Sequence, residues 1–310
     1  MSRKVAVVGA GINGISSAIA LQEAFPSIHV TIIAEKFSPH LTSDVAAGFW
    51  EPHLVATDDE NKMREILNTS FNYIASLVPI PNSGAMWQSG VEVSKEKYEE
   101  RPMWADIVRG FRELTNAEAE SYGKEYKSGW FFTTLGLEPT TYIRYATDLF
   151  LSRGGCIQQR KVESLDGLTN EYSLVVNCSG LGAISLVGDT QMKPIRGQVI
   201  RVKAPKVKHF FLDSTWYCLL NGETMILGGS HDENEWDTTP NPQTAQMILE
   251  ETAKRVPELK GATIISHHVG LRPGLIIHNY GHGGSGITIF WGCALNVVDL
   301  ATSHLSSSHL

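Results

Sequence analysis

The chain has 310 residues, 42% of them hydrophobic, and its 26 basic and 33 acidic side chains give a net charge of −7. This size is enough for one large or two ordinary cores, and a negative balance without a basic cluster argues against nucleic acid or an anionic membrane surface as a partner. No apolar run approaches the roughly 18 residues of a membrane span, and the four widely spaced cysteines predict neither a disulfide framework nor a metal site.

The first predicted unit is a strand, a glycine turn and a helix. A β-prone run at residues 4–8 leads directly into Gly9-x-Gly11-x-x-Gly14, and an apolar helical segment follows. Gly9 suits a tight turn, Gly11 has no Cβ to block a pyrophosphate, and Gly14 lets the helix approach the strand. The pattern predicts a dinucleotide at the N-terminus of this helix. The glycine spacing alone would also fit an ordinary turn in a βα unit.

A second strand, at residues 30–34, ends at an acidic residue. Glu35 stands about 20 residues after the last glycine, where the ribose hydroxyls of a dinucleotide need a carboxylate acceptor. A carboxylate there would repel a 2′-phosphate, although the neighbouring Lys36 weakens that argument.

Helices and strands are expected to alternate through the middle of the chain. Apolar residues recur every three or four positions at 61–77, which predicts a helix, and short alternating runs at 84–101 predict strands. Residues 104–122 and 141–151 predict two more helices, and residues 174–177 predict a buried parallel strand. A second glycine turn with Ser179 and Gly180 follows this strand, and it would again bring backbone close to the dinucleotide.

After residue 196 the pattern changes to short strands. Four β-prone runs between residues 197 and 229 predict an antiparallel meander, and residues 243–256 and 263–271 predict a helix and a further strand. We therefore predict an α/β fold, α+β overall. A Rossmann-type dinucleotide-binding domain with a parallel sheet (residues 1–50, 141–195 and 263–310) is interleaved with a substrate or cap domain on a mostly antiparallel sheet (residues 51–140 and 196–262).

The C-terminal region contains a second glycine-rich helix start, at residues 277–288. In a flavoenzyme, such a helix start can face the ring carbonyl and stabilise the charge of reduced flavin. Besides this region and the N-terminal glycine pattern, three further motifs stand out: residues 42–48 (Thr-Ser-Asp-Val-Ala-Ala-Gly), 196–198 (Arg-Gly-Gln) and 270–273 (Gly-Leu-Arg-Pro). Together they closely resemble the D-amino acid oxidase and D-aspartate oxidase family over nearly the whole chain.

The resemblance implies that the dinucleotide is FAD rather than NAD. It also implies oxidation of a D-amino acid to the 2-oxo acid, ammonia and hydrogen peroxide, with dioxygen as electron acceptor and without a side-chain acid or base. The positions that match the family's cofactor-binding segments are Gly9, Gly11, Ile12, Gly14, Glu35, Lys36, Thr42, Ser43, Gly48, Ser179, Gly180, Gly283, Gly284, Gly286, Ile287 and Thr288.

The substrate site is implied in the same way. Family members hold the α-carboxylate with an arginine and a tyrosine hydroxyl, which match Arg272 and Tyr217, and Gly284 and Ser285 fall in the same site. A guanidinium pairs with a carboxylate through two parallel hydrogen bonds, which fixes the orientation of the Cα–H bond. Without the resemblance, Arg272 would read as a surface ion-pair residue.

Substrate preference is expected to be for acidic D-amino acids, namely D-aspartate and D-glutamate. The short segment before Tyr217 and the residue His53 both match D-aspartate oxidases. His231 replaces the arginine that those enzymes use for the distal carboxylate, and a histidine is a weaker, pH-dependent partner. The preference should therefore fade as pH rises. Each histidine could instead be a polar residue without catalytic consequence, and neutral D-amino acids are the alternative substrates.

Two features near the C-terminus extend these expectations. Residues 274–277 connect Arg272-Pro273 to the glycine-rich run by a shorter path than in the family, which leaves open an impaired form that binds FAD weakly. The terminal Ser308-His309-Leu310 resembles a peroxisomal address, so an import receptor and a location in the peroxisomal matrix are expected. A homodimer is also left open.

Overall fold

The computed structural model describes residues 3–52, 59–274 and 282–306. The strands in these residues are β1 (Lys4–Val8), β2 (His29–Ala34), β3 (Ala85–Ser94), β4 (Arg109–Glu113), β5 (Ser128–Leu137), β6 (Cys156–Gln159), β7 (Leu174–Asn177), β8 (Lys193–Lys203), β9 (Phe210–Leu212), β10 (Tyr217–Asn221), β11 (Thr224–Gly228), β12 (Asp232–Glu233) and β13 (Thr263–Gly274). The α-helices are α1 (Ile12–Ala24), α2 (Thr42–Val45), α3 (Glu60–Leu77), α4 (Asn116–Glu120), α5 (Pro139–Ser152), α6 (Ala183–Leu186), α7 (Pro242–Arg255) and α8 (Gly286–Ser306).

The two strands predicted to flank the glycine turn, β1 and β2, lie in the middle of a four-stranded parallel sheet. Its order is β6-β2-β1-β7. Alternate residues of β1 enter two cores: Val5 and Val7 join the main core with α1, whereas Ala6 and Val8 pack against Leu168 and its neighbours on the other face. Helix α1 packs in turn against α5 and α8. The predicted Rossmann-type unit with a parallel sheet is confirmed.

The second sheet is mostly antiparallel and separates two cores. Its order is β12-β8-β11-β10-β9-β3-β5-β4, and β13 pairs with β8 on the other side. Phe210 and Leu219 point into the core shared with the parallel sheet, whereas their neighbours Phe211 and Cys218 point into a core covered by α7. Because side chains alternate along a strand, this sheet has one face toward the dinucleotide unit and one away from it.

Most of the predicted elements are confirmed, including the helix at α3 and the meander from β8 to β11. The helix predicted at residues 104–122 is wrong. Residues 109–113 instead form β4, in which Gly110 (φ +62°) lies at a register irregularity between Arg109 and Arg112, and Thr115 caps the short helix α4 through a capping box with Glu118. Apolar spacing suggested one helix, but the aromatic ring of Phe111 packs against Trp104 and against Trp130 of the neighbouring strand β5 instead.

The strand β13 belongs to the antiparallel sheet. It pairs with β8 over its whole length, from Thr263 opposite Lys203 to Gly274 opposite Lys193. The domain boundaries predicted from the sequence place residues 263–274 in the domain with the parallel sheet, whereas the structure pairs them with the antiparallel sheet. The other boundaries stay a prediction. No helix in the part of the chain described here is long and apolar enough to cross a membrane.

Candidate functional site

The glycine turn at the start of α1 shows two close backbone contacts and one close contact with a side chain. A Cβ at Gly9 would lie 2.2 Å from the carbonyl oxygen of Cys178, and one at Gly14 would lie 2.0 Å from the carbonyl oxygen of Gly9. Gly9 also has φ +114°, a backbone conformation that residues other than glycine rarely adopt. A Cβ at Gly11, the N-cap of α1, would lie 3.2 Å from Ser43 Oγ, and Gly11 itself provides no side-chain acceptor for the N–H groups of the helix start, a place that favours an anion.

The loop at residues 38–48 is tied to this helix start. The Ser43 hydroxyl accepts a hydrogen bond from the Ile12 N–H (3.2 Å). Asp44 is buried, and its carboxylate accepts from the Leu41 N–H (2.8 Å) and the Ser38 hydroxyl (2.6 Å). Asp44 was not predicted as a site residue. The signal that could have found it is an acid three residues after the N-cap of a short helix, where it can bond back to the backbone.

The same loop continues to the antiparallel sheet. Gly48 has φ +73°, and a Cβ there would lie 2.0 Å from the carbonyl oxygen of Leu137. The Leu137 N–H also donates to the Gly48 carbonyl (2.6 Å). Thr42 begins α2, and α2 packs on β13, where a Cβ at Gly270 would meet Val45. The loop therefore connects the glycine turn to the strand that carries Arg272.

The start of α8 lies beside the start of α1. The Asn13 amide nitrogen and His282 Nδ1 are 2.9 Å apart, and the Thr288 hydroxyl donates to the Glu51 carbonyl (2.9 Å). Ser285 is fully buried, and Ile287 and Thr288 are also buried. Residues Gly283 to Ser285 form one 3-10 turn that leads into Gly286 at the start of α8. Two glycine-lined helix starts thus come together, as the sequence predicted.

Glu35 and Lys36 lie on the surface at the end of β2. Both side chains are exposed, and the Glu35 carbonyl accepts from the Gln159 amide (3.2 Å). They border an open cavity of about 470 Å³ that is lined by Glu35, Lys36, Phe37, Ser38, Pro39, His40 and Gln159. This cavity lies where the ribose of a dinucleotide on α1 was expected.

Arg272 and Tyr217 each lie against a glycine. A Cβ at Gly197 would be 2.6 Å from Arg272 Nη2, and one at Gly228 would be 2.3 Å from the Tyr217 hydroxyl oxygen. Both side chains are half-buried. Across residues 3–52, 59–274 and 282–306, no acidic side chain lies within ion-pair distance of Arg272. A half-buried guanidinium of this kind can bind an anion.

The strand register places these two side chains on one face of the sheet. Tyr217 lies opposite Gly228, which lies opposite Val199 of β8. Arg272 lies opposite Ile195 of the same strand. Since Ile195 and Val199 are four residues apart on one strand, their side chains and the side chains opposite them point the same way.

The two predicted histidines have different outcomes. His231 is partly exposed, and its Nε2 is 3.9 Å from a carboxylate oxygen of Glu233. Glu233 pairs with Ile195 and so lies in the same cross-strand row as Arg272, at the β12 edge of the sheet. His53 lies outside the described residues.

A buried acidic pair was missed from the sequence. Burial, and then the charge of Glu92, raise the pKa of Glu51 well above its usual value. Burial also raises the pKa of Glu92, although the Tyr98 hydroxyl donates to its carboxylate (2.9 Å). Glu92 lies opposite Leu212, which lies opposite Tyr217, so Glu92 shares the Tyr217 face. The sequence signal that could have found it is a glutamate flanked by two valines in a strand. Val91 and Val93 are both buried on the opposite face of the sheet.

Comparison with known proteins identifies the family. Residues 4–300 match the family model described as FAD dependent oxidoreductase. The chain is 35% identical to human D-aspartate oxidase, over 96% of this chain and 94% of the relative, and 35% identical to the D-amino acid oxidase of Dugesia ryukyuensis, over 99% of both. The chain belongs to the D-amino acid oxidase and D-aspartate oxidase family.

A solved structure of another enzyme has the same fold as this oxidase. The crystal structure of glycine oxidase from Bacillus cereus has a TM-score of 0.78 at 18% identity, covering 97% of this chain and 95% of that chain. The protein is thus an FAD-dependent oxidoreductase of D-amino acids, and FAD is its cofactor.

The residues at the two helix starts fit FAD. Asn13 Oδ1 and Ser179 Oγ are buried polar atoms without a hydrogen-bond partner among the described residues, and a polar ligand would satisfy them. Gly180 and Gly286 have open space where a Cβ would stand. The residues that would hold FAD are thus the glycine turn at α1, the loop with Ser43, the Ser179 turn and the start of α8. No cluster of metal-ligating side chains occurs in the described part of this oxidase.

Proposed function

We propose that this oxidase converts acidic D-amino acids, D-aspartate and D-glutamate, to the 2-oxo acid, ammonia and hydrogen peroxide in preference to neutral ones. The observation that carries the proposal is the shared face of Arg272 and Tyr217, each lying against a glycine. The chemistry that bound FAD supplies is the two-electron oxidation of the substrate, with dioxygen as the final electron acceptor.

The role of Arg272 and Tyr217 is to hold the substrate α-carboxylate. The guanidinium can donate two parallel hydrogen bonds, and the phenol hydroxyl can donate a third. Both groups belong to strands of one sheet, β13 and β10, with β8 and β11 between them, so their spacing is fixed by backbone hydrogen bonds rather than by flexible loops. A carboxylate held at three points leaves the substrate little rotational freedom, which is the main requirement when the cofactor supplies the redox chemistry.

Preference for acidic substrates rests on His231 and on the likeness to D-aspartate oxidase. His231 immediately precedes β12, whose Glu233 lies in the same cross-strand row as Arg272, and His231 Nε2 is 3.9 Å from a carboxylate oxygen of Glu233. A protonated imidazole attracts a distal carboxylate, whereas a neutral one only donates or accepts a hydrogen bond. The preference should therefore be strongest at acidic pH, where imidazoles are protonated. His53 is assigned the same kind of role from the family match alone.

The test compares kcat/KM for D-aspartate and D-alanine across pH, with peroxide as the readout. The ratio should exceed about 10 near pH 6 and fall several-fold by about pH 8.5. His231→Arg keeps a positive charge at all pH values and should remove the pH dependence of the ratio. His231→Gln, which cannot carry a charge, should lower the ratio at every pH. A ratio below one in the wild-type enzyme at all pH values would overturn the acidic preference.

Neutral D-amino acids are the second candidate, and the acidic pair favours them. Glu51 and Glu92 are buried near each other, and Glu92 shares the Tyr217 face. Burial favours the protonated form of both, but wherever one of them ionises, its charge would repel a second substrate carboxylate. The candidates differ in their response to Glu92→Gln: this change should raise the D-aspartate rate if repulsion limits it, and leave the D-alanine rate unchanged.

We also propose that the protein is imported into the peroxisomal matrix through Ser308-His309-Leu310, residues outside the described part of the chain. The support is the resemblance of this tripeptide to a small-basic-leucine address. A fluorescent protein fused to the N-terminus should enter peroxisomes, and truncation of the last three residues should leave it in the cytosol. Equal distribution of both fusions would overturn the proposal. Self-association into a homodimer is tested separately by sedimentation.

A further inference from the structure

We infer that the buried ion pair between Asp213 and Arg255 positions Tyr217 for substrate binding. The inference rests on the proposed role of Tyr217 in holding the α-carboxylate. Neither Asp213 nor Arg255 is expected to touch the substrate, because both act through the turn that precedes Tyr217.

The turn between β9 and β10 is closed by Asp213. Leu212 and Tyr217 are paired residues at the ends of these two strands, so residues 213–216 form the connection. The carboxylate oxygen Oδ1 of Asp213 accepts from the N–H groups of Thr215 (2.7 Å) and Trp216 (2.6 Å). The Asp213 N–H also donates to the Trp216 carbonyl (2.9 Å). Three hydrogen bonds from one residue thus fix the backbone just before Tyr217.

The other carboxylate oxygen anchors the turn to the core. Oδ2 of Asp213 accepts from the Tyr126 hydroxyl (2.5 Å) and from Arg255 Nε (2.9 Å). The side chains of Asp213 and Arg255 are only 4% and 8% exposed. Burial opposes ionisation of Asp213, but hydrogen bonds from Tyr126, the turn and Arg255 outweigh it and lower its pKa. The carboxylate is therefore charged and immobile.

Arg255 connects this anchor to α7 on the far face of the sheet. It is the last residue of α7, and its Nη1 donates to the carbonyl and the carboxylate of Glu251 (2.8 Å each). Helix α7 packs against β8 and β11, the strands that carry Gly197 and Gly228. Through Arg255 and α7, the turn is thus held in place relative to β8 and β11, the strands that carry the glycines of the substrate site.

The side chains after the turn rest on two glycines. A Cβ at Gly229 would lie 2.2 Å from the Trp216 ring, and one at Gly228 would lie 2.3 Å from the Tyr217 hydroxyl. Glycines leave room for the rings but do not enclose them. Lateral placement of the Tyr217 hydroxyl must therefore come from the backbone, which Asp213 fixes. A buried ion pair adds little net stability compared with apolar side chains of the same volume, so a positional role accounts better for the network.

The test is a double-mutant cycle between Arg255 and Tyr217 in the FAD-loaded enzyme. Tyr217→Phe removes the hydroxyl and should raise KM for the D-amino acid about 10-fold. Arg255→Gln should raise KM about 5-fold with kcat changed less than 2-fold, and it should weaken inhibition by propionate, a carboxylate without an oxidisable amine, to the same extent. In the Tyr217→Phe background, Arg255→Gln should add little, because the hydroxyl it positions is absent.

Controls separate positioning from loss of folding. Tyr126→Phe removes one bond of the anchor and should give a smaller KM increase that also disappears in the Tyr217→Phe background. Glu118→Gln breaks an exposed ion pair with Arg112 in the same lobe and should leave KM unchanged. Independent, multiplicative effects of Arg255→Gln and Tyr217→Phe would overturn the inference alone. An unchanged KM in Tyr217→Phe would overturn the proposed role of Tyr217 and the inference with it.

Discussion

The guanidinium of Arg272 lies directly against the backbone of Gly197, with Nη2 only 2.6 Å from where a Cβ would stand. The two residues belong to paired strands, and Gly197 lies two positions along β8 from the residue opposite Arg272. The absence of a side chain at residue 197 is therefore a condition for the orientation of Arg272. Tyr217 likewise lies against a glycine, Gly228, which stands directly opposite it on the adjacent strand β11.

Gly197→Ala should displace the Arg272 guanidinium and weaken substrate binding. Losing a charge-assisted bidentate pair costs about 1.5–3 kcal/mol, so KM should rise about 10-fold or more, with little change in FAD content. Gly167→Ala is the matched control, since a Cβ there meets nothing within 4 Å. Steady-state kinetics with D-aspartate and the flavin absorbance of the purified proteins provide the readouts. An unchanged KM in Gly197→Ala would remove Arg272 from the carboxylate site.

The dinucleotide half of the site could be predicted because its information is local. Gly9, Gly11 and Gly14 lie within six residues, and each constraint comes from backbone geometry that any strand–turn–helix must satisfy. The spacing therefore determines both the turn and the helix start. The failure at residues 104–122 shows the limit of the same reasoning, because apolar spacing there records aromatic packing between strands rather than a helix.

The substrate half depends on contacts between distant parts of the chain. Glu51 and Glu92 meet only because the loop after Gly48 is bonded to β5, and β5 is the partner of β3. Asp213 reaches Arg255 across the sheet. Contacts between distant segments cannot be predicted from the periodicity of one segment. Arg272 and Tyr217 were therefore identified only through the family resemblance, and the acidic pair and the Asp213 anchor were missed.

Asp44→Ala should weaken FAD binding by loosening the loop that bears Ser43. The buried carboxylate accepts from the Leu41 N–H and the Ser38 hydroxyl, and hydrogen bonds to a charged group are worth about 1.5–3 kcal/mol. We expect lower thermal stability and about 10-fold weaker FAD affinity. Asp59→Ala is a matched control: it removes the N-cap of α3, at a cost of about 1 kcal/mol, away from the glycine turn. Equal FAD affinities in the two variants would contradict a role for Asp44 in holding the cofactor loop.

Gly286→Ala should separate FAD binding from folding. Gly286 already has helical geometry (φ −52°, ψ −44°), and a Cβ there meets no protein atom within 4 Å. Alanine should therefore leave the FAD-free protein as stable as before, or up to about 1 kcal/mol more stable. If the flavin occupies this space, the added methyl group should weaken FAD binding by about 1–3 kcal/mol, the usual cost of overpacking. Titration of the FAD-free protein with FAD, together with its melting temperature, measures both effects. Unchanged FAD affinity would place the cofactor away from the start of α8.

Glu51→Gln should stabilise the protein more at alkaline than at acidic pH. Burial, and then the charge of Glu92, raise the pKa of Glu51 in the folded state above its value in the unfolded chain. The protonated form is thus the one that folding favours. Its stabilising contribution is complete below the unfolded pKa and is lost as pH rises through the folded pKa. The loss amounts to about 1.4 kcal/mol for each pH unit that separates the two pKa values.

Glutamine is neutral at all pH values, so the difference in urea midpoint between the Glu51→Gln variant and the wild type should grow from about pH 5 to about pH 8. Glu171→Gln, at an exposed position, is the control. A constant difference across this range would show that the pKa of Glu51 is the same in the folded and unfolded states. A difference that shrinks as pH rises would mean that folding lowers the pKa of Glu51 instead of raising it.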